Sequence, residues 1–286
     1  MANKTILVTG SNGQLGSELK DAFANKSVNI IYTDVQELDI TNKEAVRNFI
    51  RVNSINLVIN CAAYTAVDRA EDEPQISDLI NHIAVDYIAS ALKEVNGKLI
   101  HISTDYVFNG KASSPYHEGD LTSPIGVYGK TKLAGEQAVL ASGCDCIIIR
   151  TSWLYSVYGA NFVKTIMRFA RERGELKVIA DQVGSPTNAR DLARAIVTIV
   201  QSQKWESGIY HYSNEGVCSW YDFAKAIVDI ANIKCKVNAC TTAEYPTKAV
   251  RPPYSVFEKT KIKSIHGIEV PYWRDSLIDC IAVLNK

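Results

Sequence analysis

Tyr128 and Lys132 stand four residues apart in Tyr128-Gly129-Lys130-Thr131-Lys132, and Thr104 lies 24 positions before the tyrosine in Ser103-Thr104-Asp105-Tyr106. On a helix, Tyr128 and Lys132 share one face. Together the three side chains are the working parts of a carbonyl site: a phenol to move a proton, an ammonium to tune it and a hydroxyl to hold the oxygen. A free tyrosine has a pKa of about 10, too high for proton exchange near neutrality. The lysine ammonium, with the positive charge of an oxidised nicotinamide, is expected to favour the phenolate. Lowering the pKa by ~2–3 units corresponds to roughly 3–4 kcal/mol, which one or two close cations in a dry site can supply. In the reductive direction Tyr128 would give its proton to the carbonyl oxygen, and Thr104 would fix that oxygen. Lys132 would also hold the nicotinamide ribose. A tyrosine and a lysine at this spacing are commonly just a helix surface. Thr104 and a nucleotide loop at the start of the chain give them chemistry.

That loop is Gly10-x-x-Gly13-x-x-Gly16, placed directly after Thr5-Ile6-Leu7-Val8-Thr9. Gly10 permits the tight turn, Gly13 lets the backbone approach a pyrophosphate, and Gly16 lets a helix pack close to the sheet. The helix N-terminus adds free N–H groups for the phosphates. The spacing differs from the Gly-x-Gly-x-x-Gly of many dehydrogenases, yet on a first strand it points to a dinucleotide. Asn12, Gln14 and Leu15 are assigned to the same cofactor surface. Asp34 closes the second strand, where an acid bonds the adenine-ribose hydroxyls and disfavours a 2′-phosphate. Taken alone it favours NADH over NADPH, although an ordinary acidic turn residue competes with that reading. By position, Asp39-Ile40 is a candidate lining of the adenine pocket. Asn60-Cys61-Ala62-Ala63 ends the third strand with small side chains against which a cofactor can lie, and Ala62, Ala63 and Tyr64 are read as contacts.

The elements around these residues alternate. Strands are expected at Thr5–Thr9, Val28–Thr33, Leu57–Asn60, Leu99–Ile102 and Cys146–Arg150. Helices are expected after the glycine loop (Leu15, Leu19, Phe23), around Val46 to Ile50, from Pro74 to Val95 and from Tyr128 to Leu140. Such alternation implies a doubly wound parallel sheet of Rossmann type, α/β in class, with ligands beyond the carboxyl ends of the strands. Residues 1–151 form the expected dinucleotide-binding domain. Residues 152–286, with helices at Phe162–Arg173 and Asp191–Gln201 and proline-rich loops, form mainly a smaller substrate lobe, some of whose segments return to the sheet.

Composition narrows the partners. Lys and Arg total 31, as do Asp and Glu, so no basic field exists to attract nucleic acid or an anionic membrane. The seven cysteines are scattered without a Cys-x-x-Cys pair, as expected in a reducing compartment. Met1-Ala2-Asn3-Lys4 enters a strand-like run without a signal-peptide core, and the apolar runs are too short to span a bilayer. The expectation is a soluble, cytoplasmic protein.

The chain resembles the extended short-chain dehydrogenase/reductases, and among them the dTDP-4-dehydrorhamnose reductase family. The residues that carry the likeness run almost end to end: Asn60 to Asp68, Ser103 to Phe108, Tyr128 to Glu136, Arg150-Thr151-Ser152-Trp153-Leu154-Tyr155, Asn161 to Thr165, Asp181-Gln182-x-Gly184-x-Pro186-Thr187 and Arg251-Pro252. The resemblance implies reduction of the 4-keto group of dTDP-4-dehydro-6-deoxy-L-mannose, with NADPH or NADH as donor. It implies Tyr128 as proton donor, Lys132 as its partner, Thr104 against the substrate carbonyl, and Asp105, Tyr106 and Trp153 against the sugar. Arg251 is a reasonable partner for the nucleotide diphosphate, because a guanidinium engages phosphate bidentately. A 4,6-dehydratase is disfavoured, since Tyr106 stands where its Asp-Glu pair needs the glutamate. Two other readings stay open: a non-catalytic dinucleotide-binding regulatory subunit, and a reductase of another nucleotide 4-ketosugar. Some family members hold Mg2+ with acidic residues at a dimer interface. The loop helix offers Glu18 here, but Arg190-Asp191 brings positive charge, so no metal is expected. Monomer and homodimer are both open.

Overall fold

Along each central strand the buried side chains alternate between two layers of core, and that alternation fixes where the helices go. The computed structural model describes residues 5–202 and 204–286; the expectation placed on Met1 to Lys4 lies outside the described residues. Five strands, β1 (Thr5–Thr9), β2 (Asn29–Tyr32), β3 (Ile55–Asn60), β4 (Lys98–Thr104) and β5 (Asp145–Thr151), pair in parallel, and a sixth, Gly208–Tyr212, adds to the edge at β5. The order across the sheet is Gly208–Tyr212, β5, β4, β3, β1, β2. Ile6, Val8, Leu57, Ile59, Ile100, Ile147 and Ile149 face one layer, built with Leu15, Leu19 and Phe23 of helix α1 (Gln14–Phe23) and Leu192, Ile196 and Ile199 of the helix Ala189–Gln201. Leu7, Val58, Leu99 and Ile148 face the other, against Val46 and Ile50 of helix α2 (Lys43–Val52) and Val85, Ile88 and Leu92 of the helix Ala84–Glu94. This is the doubly wound arrangement that alternating strands and helices imply.

From β1 the chain goes first to β2 on one side and then to β3 on the other, which opens a crevice at the carboxyl ends of β1 and β3. The glycine loop sits at that crevice. The helix expected from Pro74 to Val95 is present but interrupted: Pro74–Asp78 and Ala84–Glu94 are α-helical, and Leu79–Ile83 between them is a π turn. Its extra residue turns Asn81 toward the neighbouring helix, Val127–Ala141, where its amide bonds Thr131 Oγ1 at 3.2 Å and the Tyr64 carbonyl at 3.1 Å. Such π turns concentrate at functional sites.

A third core cluster holds the C-terminal part together. Tyr155, Val163, Met167, Phe223, Ile227, Trp273 and Leu277 pack between the helices Phe162–Arg173, Trp220–Ile230 and Trp273–Leu284. The last two helices were not among those expected from the sequence. Among the described residues no helix is long and apolar enough to cross a membrane.

Candidate active site

A cavity of about 720 Å³ follows the carboxyl ends of β1, β3 and β4 and reaches into the C-terminal part, within the usual size range of small-molecule sites. Its floor at one end is the glycine loop. Gly10 has φ +61°, and a Cβ there would lie 2.6 Å from the Ala62 nitrogen; one on Gly16 would lie 2.5 Å from the Gly10 carbonyl oxygen. Glycine is therefore the one residue type that lets strand end, loop and helix meet. Helix α1 has no side-chain cap at Gly13, which leaves its first N–H groups to a bound anion. The cradle fits the pyrophosphate of a dinucleotide.

Gly10, Gly13, Gln14, Leu15, Gly16, Asp34, Asp39, Ile40, Ala62, Ala63, Thr104, Asp105, Tyr106, Tyr128, Lys132 and Trp153 all line this one cavity. Three residues assigned from sequence do not. Asn12 gives its backbone N–H to Asp34 Oδ2 at 3.1 Å and accepts from Lys20 at 3.0 Å. Tyr64 directs its hydroxyl to Glu73. Arg251 forks onto Asp68, 2.8 Å from Oδ2 and 3.4 Å from Oδ1, and these bonds hold Asp68 below the usual carboxylate range. Cys61, of the small-residue strand end, lines it too, and Ile102, Val35 and Asn161 do so without having been assigned to the site. For Asn161 a signal existed: it caps the helix Phe162–Arg173, accepting from Lys164 N, and its amide reaches Gln14 of the glycine loop at 3.0 Å.

Strand β4 delivers Thr104 at its last residue. Its hydroxyl donates to Asp105 Oδ1 at 2.9 Å and accepts the Tyr106 N–H at 3.3 Å, starting a short 3₁₀ turn. The helix Val127–Ala141 brings Tyr128 alongside, its ring edge-on to Tyr106 with centroids 5.3 Å apart. Gly129 makes that approach feasible, because any Cβ there would collide with the Tyr106 carbonyl. Trp153 holds φ +49°, rare for a bulky residue, and stacks on Trp220 at 3.5 Å. Gly184 lies close enough that a Cβ would sit 2.7 Å from the indole. A bulky side chain kept in the left-handed region costs energy, and such strain clusters where geometry serves function.

The electrostatics of the protein alone add desolvation to the charges counted from sequence. Without cofactor, burial pushes the Tyr128 phenol up to about 12, and the hydrogen bond with Thr104 only partly opposes this. Lys132 does not bond the phenol; its ammonium donates to the Ile102 carbonyl at 2.7 Å. Burial also pulls Lys132 down to about 8, with Glu136 acting in the other direction. Desolvation thus dominates at Tyr128, and the phenol of the protein alone keeps its proton near neutrality.

Asp105 is 3% exposed and lines the cavity, its Oδ2 without a hydrogen-bond partner. Burial pushes its carboxyl up to about 6, with hydrogen bonds from Ser255 and Thr104 opposing. A carboxyl with a raised folded-state pKa binds its proton more tightly when folded. Its contribution to stability is therefore greatest below the ordinary value of 3.8 and declines as pH rises through about 6. We expect Asp105→Asn to raise Tm relative to wild type at pH 7.5 and much less at pH 4.5, as read by calorimetry. A pH-independent difference would contradict a buried, costly carboxylate.

Comparison with known proteins places this site. The profile of the RmlD substrate binding domain matches residues 4–286. The dTDP-4-dehydrorhamnose reductase of Aggregatibacter actinomycetemcomitans is 43% identical over 284 residues, covering 95% of this chain and 96% of the relative. The chain belongs to the dTDP-4-dehydrorhamnose reductase family. The crystal structure of such a reductase from Clostridium acetobutylicum superposes with a TM-score of 0.95 at 43% identity, covering 99% of this chain and 100% of that one. The Bacillus anthracis reductase, solved in complex with NADP, gives 0.95 at 40% identity, covering 98% and 99%. Membership makes the chain an oxidoreductase. Glu18 is buried and accepts from Ser156 at 2.5 Å, and Arg190 pairs with Asp279 at 2.7 Å. Among the described residues no group of three or more His, Cys, Asp or Glu is placed to hold a metal ion.

Proposed function

We propose that this chain reduces the 4-keto group of dTDP-4-dehydro-6-deoxy-L-mannose to give dTDP-L-rhamnose, with Tyr128 as proton donor. One observation carries the reading: Thr104, Tyr128 and Lys132 line the same cavity as the glycine cradle. When bound, the nicotinamide supplies hydride to the carbonyl carbon. Thr104 holds the carbonyl oxygen, and Tyr128 gives it the phenolic proton as the oxygen takes on negative charge. The resulting phenolate regains its proton from solvent. Lys132 stabilises that phenolate and holds the ribose. Asp105, Tyr106 and Trp153 form the sugar wall. Arg251 stands just outside the cavity on Asp68, and a nucleotide diphosphate competes with that carboxylate for its guanidinium.

Asp34 faces the cavity with both oxygens bonded to backbone, Oδ2 to Asn12 N and Oδ1 to Val35 N, so its charge stays fixed beside the adenine ribose. A 2′-phosphate meets repulsion there. Asp34 favours NADH, while the NADP held by the Bacillus anthracis relative supports NADPH, so either nicotinamide serves as donor. The seven free cysteines support work in the cytoplasm.

The test follows nicotinamide oxidation optically, with the ketosugar generated in situ and either nicotinamide as donor. Turnover with dTDP-rhamnose as product supports the reading, and the two rates give the cofactor preference. Tight nicotinamide binding with no turnover would overturn it in favour of another ketosugar or a regulatory role.

A further inference from the structure

Lys132 is 2% exposed and His101, beside it, is fully buried. The ammonium has three protons to place. One goes to the Ile102 carbonyl at 2.7 Å, and His101 Nε2 lies 3.4 Å away in a second direction. Behind the imidazole, Nδ1 lies 3.1 Å from the Asn60 side-chain nitrogen, and Asn60 Oδ1 lies 2.6 Å from Thr9 Oγ1. Thr9, Asn60 and His101 stand at or near the carboxyl ends of the adjacent strands β1, β3 and β4, so the row crosses the sheet directly beneath the cavity.

Donors and acceptors along this row do not balance as the atoms stand. If the Asn60 nitrogen donates to Nδ1, the ring proton must sit on Nε2, where it points at an ammonium that has no lone pair. A half-turn of the Asn60 amide, which exchanges two atoms of nearly equal size, removes the conflict. Asn60 Oδ1 then accepts from Nδ1–H, its nitrogen donates to Thr9 Oγ1, and Nε2 is free to accept from Lys132. The imidazole and the ammonium are then matched, donor to acceptor, and one lysine proton is left for the cavity.

We propose that His101 is a positioning residue for the reaction: as the Nδ1–H tautomer, fixed by Asn60, it accepts a hydrogen bond from Lys132 and aims the remaining ammonium proton at the cofactor ribose and Tyr128. The proposal rests on the assignment of Lys132 made above. The groups facing this ammonium are His101 and the Ile102 carbonyl from β4, Cys61 from the end of β3, and Glu136, itself paired with Arg150, from the lysine's own helix. Burial, with the Lys132 charge beside it, drives the imidazole well below its usual range, so His101 stays neutral and able to accept across the working pH range.

Two measurements test this, one of them independent of turnover. In wild-type protein with 15N-labelled histidine, NMR should show one of the five histidines protonated at Nδ1 and bare at Nε2 near pH 7, its signal lost in His101→Gln. Protonation at Nε2 would overturn the proposal whatever the enzyme's substrate proves to be. In kinetics, His101→Leu should lower kcat about tenfold to a hundredfold and move the basic limb of the pH profile down by about a unit. His101→Gln, whose Oε1 can accept from Lys132, should restore most of both. A leucine variant with an unchanged basic limb, or a glutamine variant no better than leucine, would also overturn it. Wild-type protein inactive on the ketosugar but with the Nδ1–H tautomer would overturn the substrate reading and leave this arrangement standing.

Discussion

Tyr128→Phe is expected to lower kcat by roughly 10²–10⁴-fold, the usual contribution of a positioned general acid, while nicotinamide binding changes little. The ring survives the substitution and so does its edge-on contact with Tyr106. What is lost is the proton that burial keeps on the phenol until about pH 12. The same burial sets the pH profile. Tyr128 does not ionise in the working range, so the basic limb of kcat/KM in wild type belongs to Lys132, whose ammonium is lost as pH rises through about 8. Stopped-flow measurement of hydride transfer separates this loss from product release. A phenylalanine variant within tenfold of wild type would mean that the proton comes from elsewhere, with Asp105 the nearest titratable alternative.

The largest expected loss of stability lies one turn further along the same helix. Arg150 and Glu136 form a forked ion pair, with Nη2 2.7 Å from Oε2 and Nε 2.9 Å from Oε1, and their side chains are 3% and 1% exposed. Ser103 adds a hydroxyl to the same carboxylate. Arg150→Leu leaves that carboxylate buried without its cation, which costs about 3–5 kcal/mol and lowers Tm by roughly 10 °C. Removing both charges together, as Arg150→Leu with Glu136→Gln, should recover most of the loss, because the penalty is the unpaired charge and not the missing attraction. Denaturant titration of the two single variants and the double variant gives the coupling directly. Equal losses in the Arg150 single and double variants would show that packing, here Arg150 over the Phe108 ring at 5.1 Å, dominates instead.

Much of the site was legible because its parts are local. A strand, three glycines at fixed spacing and a helix are read in one short window, and the structure brings Thr104, Tyr128 and Lys132 to one cavity as their positions after β4 and along one helix imply. What escaped depends on contacts between distant segments. Nothing near Arg251 announces Asp68, 183 residues away, as its partner. His101 looks like one more strand residue until the sheet sets Asn60 beside it. The burial that raises the phenol's pKa in the protein alone was not legible, because charge can be counted in a sequence and desolvation cannot. The π turn at Leu79–Ile83 has no signature in residue type, since its extra residue is recognised only by what Asn81 reaches.

The late return of Gly208–Tyr212 to the edge of β5 bears on how the chain is made. Synthesis proceeds at about 5–20 residues per second, so the ribosome completes β5 roughly 3–11 seconds before the strand that will cover it. During that interval Ile147, Ile148 and Ile149 sit on an unpaired edge, and the helix Ala189–Gln201 that closes one face above them is itself not yet made. Such an edge is a template for pairing with a neighbouring chain. Yield is therefore expected to rise when elongation across residues 152–207 is fast or chaperone is abundant. A chain cut off after Thr151 would keep that open edge permanently.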